Sequence, residues 1–176
     1  VFRDNPSQPS VVGVATAAGP VSPADLKLFY DEDNKLTAET TKAGEYTLTM
    51  SDGTNRKVII EQGAQAFAIE TPWQEQKQDA QGYSVLKETT FDLPDAFGKG
   101  QRLVLDLDQV EVMAKVTLNG KTFDTLWMPP FTLDVTDALK SGKNTLKVLV
   151  TSTSKGQPKL GKVVQLKTLT RMPIKQ

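Results

Sequence analysis

The chain contains no cysteine and no histidine. Those absences remove disulfides, zinc sites built on thiolate or imidazole, Ser-His-Asp catalysis and every thiol nucleophile. Acid–base chemistry is left to carboxylates, lysines, hydroxyls and tyrosines. A chain without cysteine suits either an exported protein that needs no staples or a cytoplasmic one. Aromatic residues are sparse at 7%, with two tryptophans, Trp73 and Trp127. No apolar run approaches the roughly 18–20 residues a membrane helix needs, so a membrane helix is excluded. The chain opens on Val1, and no basic segment leads into an apolar one. A mature or excised piece is therefore expected.

What is present is ordinary for a globular protein: 176 residues, 38% hydrophobic and 24% charged. That length accommodates one domain of about 100–150 residues and an attachment of a few dozen. Lys plus Arg and Asp plus Glu balance at 21 each, but unevenly along the chain. Residues 1–60 carry 6 basic and 8 acidic groups, 61–100 carry 3 and 7, and 101–176 carry 12 and 6. From Ala138 onward there are nine cations and no anion. Such a tail has the charge to bind a polyanion. It equally suits the solvent faces of edge strands, where lysines discourage edge-to-edge pairing. No aromatic residue lies among these cations, so the stacking platform for single-stranded nucleic acid is missing and a nucleic-acid partner is not expected.

Short runs of period two, broken by turn residues, dominate the pattern and predict an all-β sandwich or barrel. Leu103, Leu105 and Leu107 share one face of a strand. Val112, Ala114, Val116 and Leu118 share one face of the next, with Met113, Lys115 and Thr117 on the other. Asn119-Gly120 then fits a two-residue hairpin, because both positions tolerate φ > 0, and residues 121–126 make the return strand. Phe131 and Leu133 begin a further strand. Asp134, Thr136 and Asp137 supply oxygens to cap a short helical turn. Leu146, Val148 and Val150 alternate in another strand, residues 152–161 read as a loop, and 162–171 read as a last strand.

The first 60 residues differ in texture. Residues 1–24 are rich in Pro, Ser, Ala and Gly and read as a linker or wrapping segment. Residues 25–62 read as a small β-hairpin unit with a turn at Asp52-Gly53, too small to stand alone. Residues 63–176 form the main sandwich.

The stretch from Val116 to Thr151 carries a strand into Asn119-Gly120-Lys121, then a Leu126-Trp127 step into Pro129-Pro130-Phe131. Asp134-Val135-Thr136-Asp137 follows, and Gly142-Lys143-Asn144 precedes Leu146 and Val148. This order resembles the sugar-binding jelly-roll domain of family-2 glycoside hydrolases and, still more in form, the C-terminal β-sandwich of family-106 α-L-rhamnosidases. Upstream, Trp73, Gly82-Tyr83 and the run from Thr89 to Pro94 are similar to that family's opening strands. The chain departs from the pattern after Thr151, where Ser152, Thr153 and Ser154 stand in place of a common Asn and Trp.

The resemblance implies a jelly-roll β-sandwich of galactose-binding-like character with a small N-terminal β extension. It implies an accessory or carbohydrate-binding role in a larger rhamnosidase-like enzyme whose catalytic barrel is the partner. It further implies a glycan that contains rhamnose, export to the periplasm or beyond, and no catalysis by this chain alone. Glycoside hydrolysis needs two carboxyl groups about 5–10 Å apart across one sugar. Asp106 and Asp108, with Glu111 near, are the local carboxylate cluster, but alternating acids on an outward strand face are normally solvated. Structural calcium is the better use of such a cluster, although the spacing has no defined loop signature, and no other cofactor is expected.

Sugar binding by β-sandwiches stacks a pyranose on an exposed aromatic ring, helped by Asn, Asp or Lys. Trp127, beside two prolines, is the first candidate, and plugging the sandwich end or packing on a neighbouring domain is its alternative. Phe131, Trp73 and Tyr83 are similar cases. Asn119 has a turn role that needs no ligand. Lys121 and Asp124 join a polar site only where the loops converge. Two further roles stay open, a purely structural interdomain module and a polyanion-binding module built on the basic C-terminal region.

Overall fold

The computed structural model describes residues 9–22, 25–153, 155 and 158–174. They divide into two compact units, residues 1–64 with 169–176, and residues 65–168.

The first unit holds β1 (Val11–Thr16), β2 (Gly19–Pro20), β3 (Leu26–Tyr30), β4 (Leu36–Thr40), β5 (Gly44–Met50) and β6 (Asn55–Ile60). Four of them form a sheet in the order β2-β1-β5-β6. Period two in β5 sends Tyr46, Leu48 and Met50 inward, where they meet Val58 and Ile60 of β6 and Ile174. The turn at Asp52-Gly53 is present. The Asp52 carboxylate accepts the Thr54 amide and hydroxyl, and Gly53 takes φ 82°.

One expectation for this region changes and another is extended. Residues 1–24 read as a linker or wrapping segment, and Val11–Thr16 within them is a strand paired along β5 rather than a linker; backbone pairing needs no particular side chain, so small residues hide it. Residues 25–62 read as a small β-hairpin unit too small to stand alone, and the unit they form also takes in 169–176, whose residues 170–173 pair with β4. β4 carries no period-two signal, because Leu36, Thr37, Ala38 and Thr40 are all buried, which erases the alternation.

The second unit holds β7 (Ala66–Ala68), β8 (Gln74–Lys77), β9 (Ser84–Leu93), β10 (Arg102–Asp106), β11 (Met113–Leu118), β12 (Lys121–Thr122), β13 (Thr132–Asp134), a 3₁₀ turn (Thr136–Ala138) and β14 (Gly142–Thr151). The last strand, β15 (Gln165–Pro173), gives its first residues to this unit. One sheet runs β12-β11-β14-β9-β8, and β13-β10-β15 lies in another, with β7 also on β15. β14 is the spine of the five-stranded sheet, paired with β9 over ten residues from Gly142↔Leu93 to Thr151↔Ser84.

The core is an all-β sandwich filling. Leu103, Leu105 and Leu107 from one sheet pack in a single cluster with Ala114, Val116, Leu118, Leu146, Val148 and Val150 from the other. Each buried Leu or Val of this kind stabilises by about 1.5–3 kcal/mol before chain entropy is subtracted. The Asn119-Gly120 hairpin forms as the sequence predicts, with φ 51° and 88° and Leu118 opposite Lys121. The expected helical turn is the 3₁₀ segment, but its N-cap residue Val135 makes no side-chain cap. Asp134 instead accepts the Thr136 amide and hydroxyl and the Arg102 guanidinium. Burial pushes its carboxyl up, and the Arg102 and Thr136 bonds together outweigh that and hold it below the ordinary carboxylate value.

Candidate functional site

The outer face of the five-stranded sheet follows from alternation. Ala114, Val116 and Leu118 of β11, and Leu146, Val148 and Val150 of β14, are almost wholly buried. Their neighbours Met113, Lys115 and Thr117, and Lys147, Leu149 and Thr151, therefore point away from the core. On β9, Ser84, Leu86 and Glu88 stand opposite Thr151, Leu149 and Lys147. The result is a face of hydroxyls and charges with a few apolar residues among them.

Trp127 reaches this face through a single inserted residue. After the turn, Thr117 stands opposite Thr122 and the Phe123 amide donates to the Val116 carbonyl. Lower down, Ala114 stands opposite Leu126, joined by both N–H···O bonds at 2.8 Å. Between these contacts β11 advances from Val116 to Ala114 while the returning chain advances from Phe123 to Leu126, one residue more. The surplus lies at Asp124-Thr125 and is a β-bulge. Because side chains alternate, one inserted residue exchanges the inward and outward sets. Leu126 thus follows Ala114 inward and packs on the core. Trp127, next to it and across from Met113, turns outward and is 67% exposed. The predicted return strand of 121–126 is accordingly shorter, with ladder pairing at Lys121–Thr122 alone.

The other candidate residues are placed as follows. Lys121 lies with its ammonium 5.5 Å from the Phe123 ring centroid. Asp124 is exposed in the bulge, with no hydrogen bond or ion pair to its carboxylate among the described residues. Phe131 is partly buried against the core, and its carbonyl accepts the Leu107 amide. Trp73 is also partly buried against the core. It precedes β8, the sheet edge opposite β12, so about 19 Å of sheet separates it from the Trp127 edge at about 4.8 Å per strand. Tyr83 is half-buried beside β9, its amide held by Asp79 and its carbonyl accepting the Ser152 amide. The Tyr83 amide, with those of Ser84, Gly82 and Gln81, holds the Asp79 carboxyl below its ordinary value against the opposing effect of burial. Asp124 and Trp127 thus lie close along the bulged segment, whereas Lys121, opposite the inward Leu118 and on the same side as Phe123, faces the other way, and Trp73 and Tyr83 do not join them. Met113 belongs beside Trp127; the alternation that set it opposite the buried set was the signal for it.

Asn119 is engaged by the protein itself. Its Nδ2 donates to the Ala138 carbonyl and to Asn144 Oδ1, both at 2.7 Å, and its Oδ1 accepts the Thr145 amide at 3.0 Å. Asn144 is 1% exposed and its amide group bonds on to the carbonyls of Lys140 and Gly142. The two asparagines tie the hairpin turn to the start of β14.

The Asp106, Asp108 and Glu111 carboxylates likewise face protein donors. Asp106 meets the Lys167 ammonium at 2.6 Å and the Asp108 amide at 2.8 Å. Asp108 accepts the Lys162 amide, and Glu111 accepts the Ser152 hydroxyl and the Lys159 amide. Asp108 and Glu111 fasten Ser152, Lys159 and Lys162. Gly161 sits there so closely that a Cβ would come within 2.5 Å of Asp108 Cβ and the Leu107 carbonyl. Among the described residues no group of three or more acidic side chains is placed to hold a metal ion. Of the basic residues after Ala138, Lys147, Lys167 and Arg171 pair with Glu88, Asp106 and Glu39, and Lys175 lies outside the described residues. No described helix is long and apolar enough to cross a membrane.

Comparison with known proteins places this geometry in a family. The family model described as glycosyl hydrolase 2 galactose-binding domain-like matches residues 55–170. A protein of Formosa agariphila assigned by name as a beta-glucuronidase is 55% identical over 51 residues, which is 29% of this chain and 4% of that protein. The structure is similar to that of a rhamnosidase from Novosphingobium sp. PP1Y, with TM-score 0.54 and 14% identity over 88% of this chain and 24% of that one. It is also similar to a Bifidobacterium dentium beta-glucuronidase, with TM-score 0.50 and 18% identity over 60% of this chain and 30% of that one. At these identities the structural likeness concerns the fold. The chain spans less than a third of the length of each of these proteins. With the match to the family model covering most of its length and the sandwich present, the chain belongs to the glycosyl hydrolase 2 galactose-binding domain-like family.

Proposed function

We propose that the chain is the accessory, glycan-contacting β-sandwich of a larger glycoside hydrolase and that it catalyses nothing by itself. The observation that carries the reading is Trp127, exposed and turned outward by a bulge whose two flanks are fixed by the ladder at Thr117↔Thr122 and the bridge at Ala114↔Leu126. An indole held this way offers a rigid apolar surface at little entropic cost. The C–H face of a pyranose stacks on it, with Asp124 of the bulge the nearest charged group for the hydroxyls. Met113, 38% exposed across from Trp127, extends the apolar surface to suit the methyl group of a 6-deoxy sugar, which favours rhamnose over a uronate facing Asp124. Hydrolysis belongs to a catalytic barrel elsewhere in the parent enzyme, and the setting is outside the cytoplasm.

A second reading has its own observation. Met128 is 53% exposed beside Trp127, and the apolar group these residues make with Met113 also suits a partner domain. Affinity electrophoresis separates the two. Retardation in gels containing a rhamnose-rich polysaccharide, abolished by Trp127→Ala, supports the glycan reading. Unchanged mobility in every gel supports the buttress and overturns it. Turnover of an aryl rhamnoside by the purified chain refutes the non-catalytic role.

A further inference from the structure

At the other end of the sandwich, the connection from β9 to β10 arches over the segment that follows the 3₁₀ turn. A cleft of about 490 Å³ lies between them, lined by Leu93, Phe97, Lys99, Gln101, Leu139 and Ser141 among others. That volume falls inside the roughly 300–1,000 Å³ of small-ligand sites. From the Ser84↔Thr151 pair, which lies level with Met113 and Trp127, to the Leu93↔Gly142 pair at the cleft is the full length of β9. At about 3.3 Å per residue that is about 30 Å, so this cleft is distinct from the Trp127 surface.

Its walls are set before any ligand arrives. The Phe97 amide donates to the Pro94 carbonyl and the Gln101 amide to the Gly98 carbonyl, both at 2.9 Å, making two successive turns. Gly98 takes φ 61°, and a Cβ there would come within 2.5 Å of Leu103 Cδ2. The loop backbone therefore rests directly on the core. The Phe97 ring is 5.7 Å from Phe67, which is 6.0 Å from Phe91, so the aromatic part of the floor is wedged in place. Leu93 and Leu103 are buried beneath it.

The rim has the opposite character. Asp95, Lys99, Gln101 and Ser141 are exposed, and among the described residues none of their side chains is taken by a hydrogen bond or ion pair. Together they provide acceptors alone, donors alone and two groups that do both. One carboxylate and one ammonium cancel, so the rim selects against neither sign of charge strongly and rewards a neutral ligand rich in hydroxyls. The apolar floor rewards a ligand with a C–H face. We infer that this cleft is a binding site for a single uncharged sugar ring, separate from the Trp127 surface and independent of the reading proposed for it.

The test is a titration of the ¹⁵N-labelled 176-residue chain, followed by amide shifts, with methyl α-L-rhamnoside, methyl β-D-galactoside and D-glucuronate. A neutral glycoside is expected to move the Lys99, Gly100, Gln101 and Ser141 amides in a saturable way. Combining Gln101→Ala with Ser141→Ala should weaken that response about tenfold or more, while Trp127→Ala leaves it within about twofold. Both substituted residues are exposed, and the spectrum itself reports that the variant is folded. The inference is overturned if no amide around the cleft responds, if the double variant binds as well as the parent, or if glucuronate binds more tightly than the neutral glycosides. Shifts confined to Met113, Trp127 and their neighbours also overturn it, and those would support the Trp127 surface instead.

Discussion

Replacing Asn119 separates its two roles, and the size of each follows from the geometry. The residue sits at φ 51° and makes three side-chain hydrogen bonds, to Ala138, Asn144 and Thr145. In Asn119→Gly the backbone is relieved and only the bonds are lost, at about 1 kcal/mol each, for a loss of about 3 kcal/mol. In Asn119→Ala a Cβ is also forced into the left-handed region, which adds about 1–2 kcal/mol. In Asn119→Asp the acceptor for the Thr145 amide is kept, but both donated bonds are lost and a carboxylate is set against the Ala138 carbonyl and Asn144 Oδ1. Both tryptophans lie in the 65–168 unit, so urea unfolding followed by tryptophan fluorescence reads that unit. At a slope of about 2 kcal/mol per molar, Asn119→Gly should lower the midpoint by about 1.5 M and Asn119→Ala by more. An Asn119→Gly midpoint equal to the parent's would refute the hydrogen-bond account and leave the asparagine as a turn residue alone.

Deleting Thr125 removes the surplus residue of the bulge, so regular alternation from Phe123 should still set Leu126 inward opposite Ala114 and leave Trp127 outward. Acrylamide quenching of the Trp127 signal, measured in a Trp73→Phe background, is expected to stay as it is, and a marked fall in quenching contradicts the bulge assignment. Gly161→Ala presses a methyl group on Asp108 and on the Leu107 carbonyl, an overpacking of about 2–3 kcal/mol. Calorimetry should show a transition about 10 °C lower. The Asp79 carboxyl is held below its ordinary value, chiefly by the Tyr83 amide. Its contribution is therefore complete above the unfolded-state value and is lost as pH falls through the lowered native one. Hydrogen exchange of the Tyr83 and Ser84 amides should stay protected down to that lower pH, and loss of protection already above the ordinary carboxylate range would contradict it.

The parts of the fold legible in the sequence are those whose cause is local. β10, β11 and β14 each bury one face, so their leucines and valines alternate, and Asn119-Gly120 marks its own turn because both residues accept positive φ. β8 gave no such signal, since every residue of Gln74–Lys77 is exposed, and β4 gave none because both of its faces are covered. At the site, the prolines after Trp127 marked a loop, but the direction of the indole depends on one inserted residue at Asp124-Thr125, which composition does not announce. The tie between Asn119 and Asn144 was equally hidden, because its partners are 25 residues apart in the chain. Ser152, where the resemblance led one to expect Asn, bonds through its hydroxyl to Glu111 and through its amide to Tyr83, so the position serves to fasten the chain here.

The most direct test of the proposed role is a tryptophan-fluorescence titration of the Trp73→Phe chain with rhamnose-containing oligosaccharides, at low and at moderate salt. The account predicts a saturable change that varies little with salt and disappears when Trp127→Ala is added. A response that collapses with salt, as charge-driven binding does, or no response to any oligosaccharide, would contradict it.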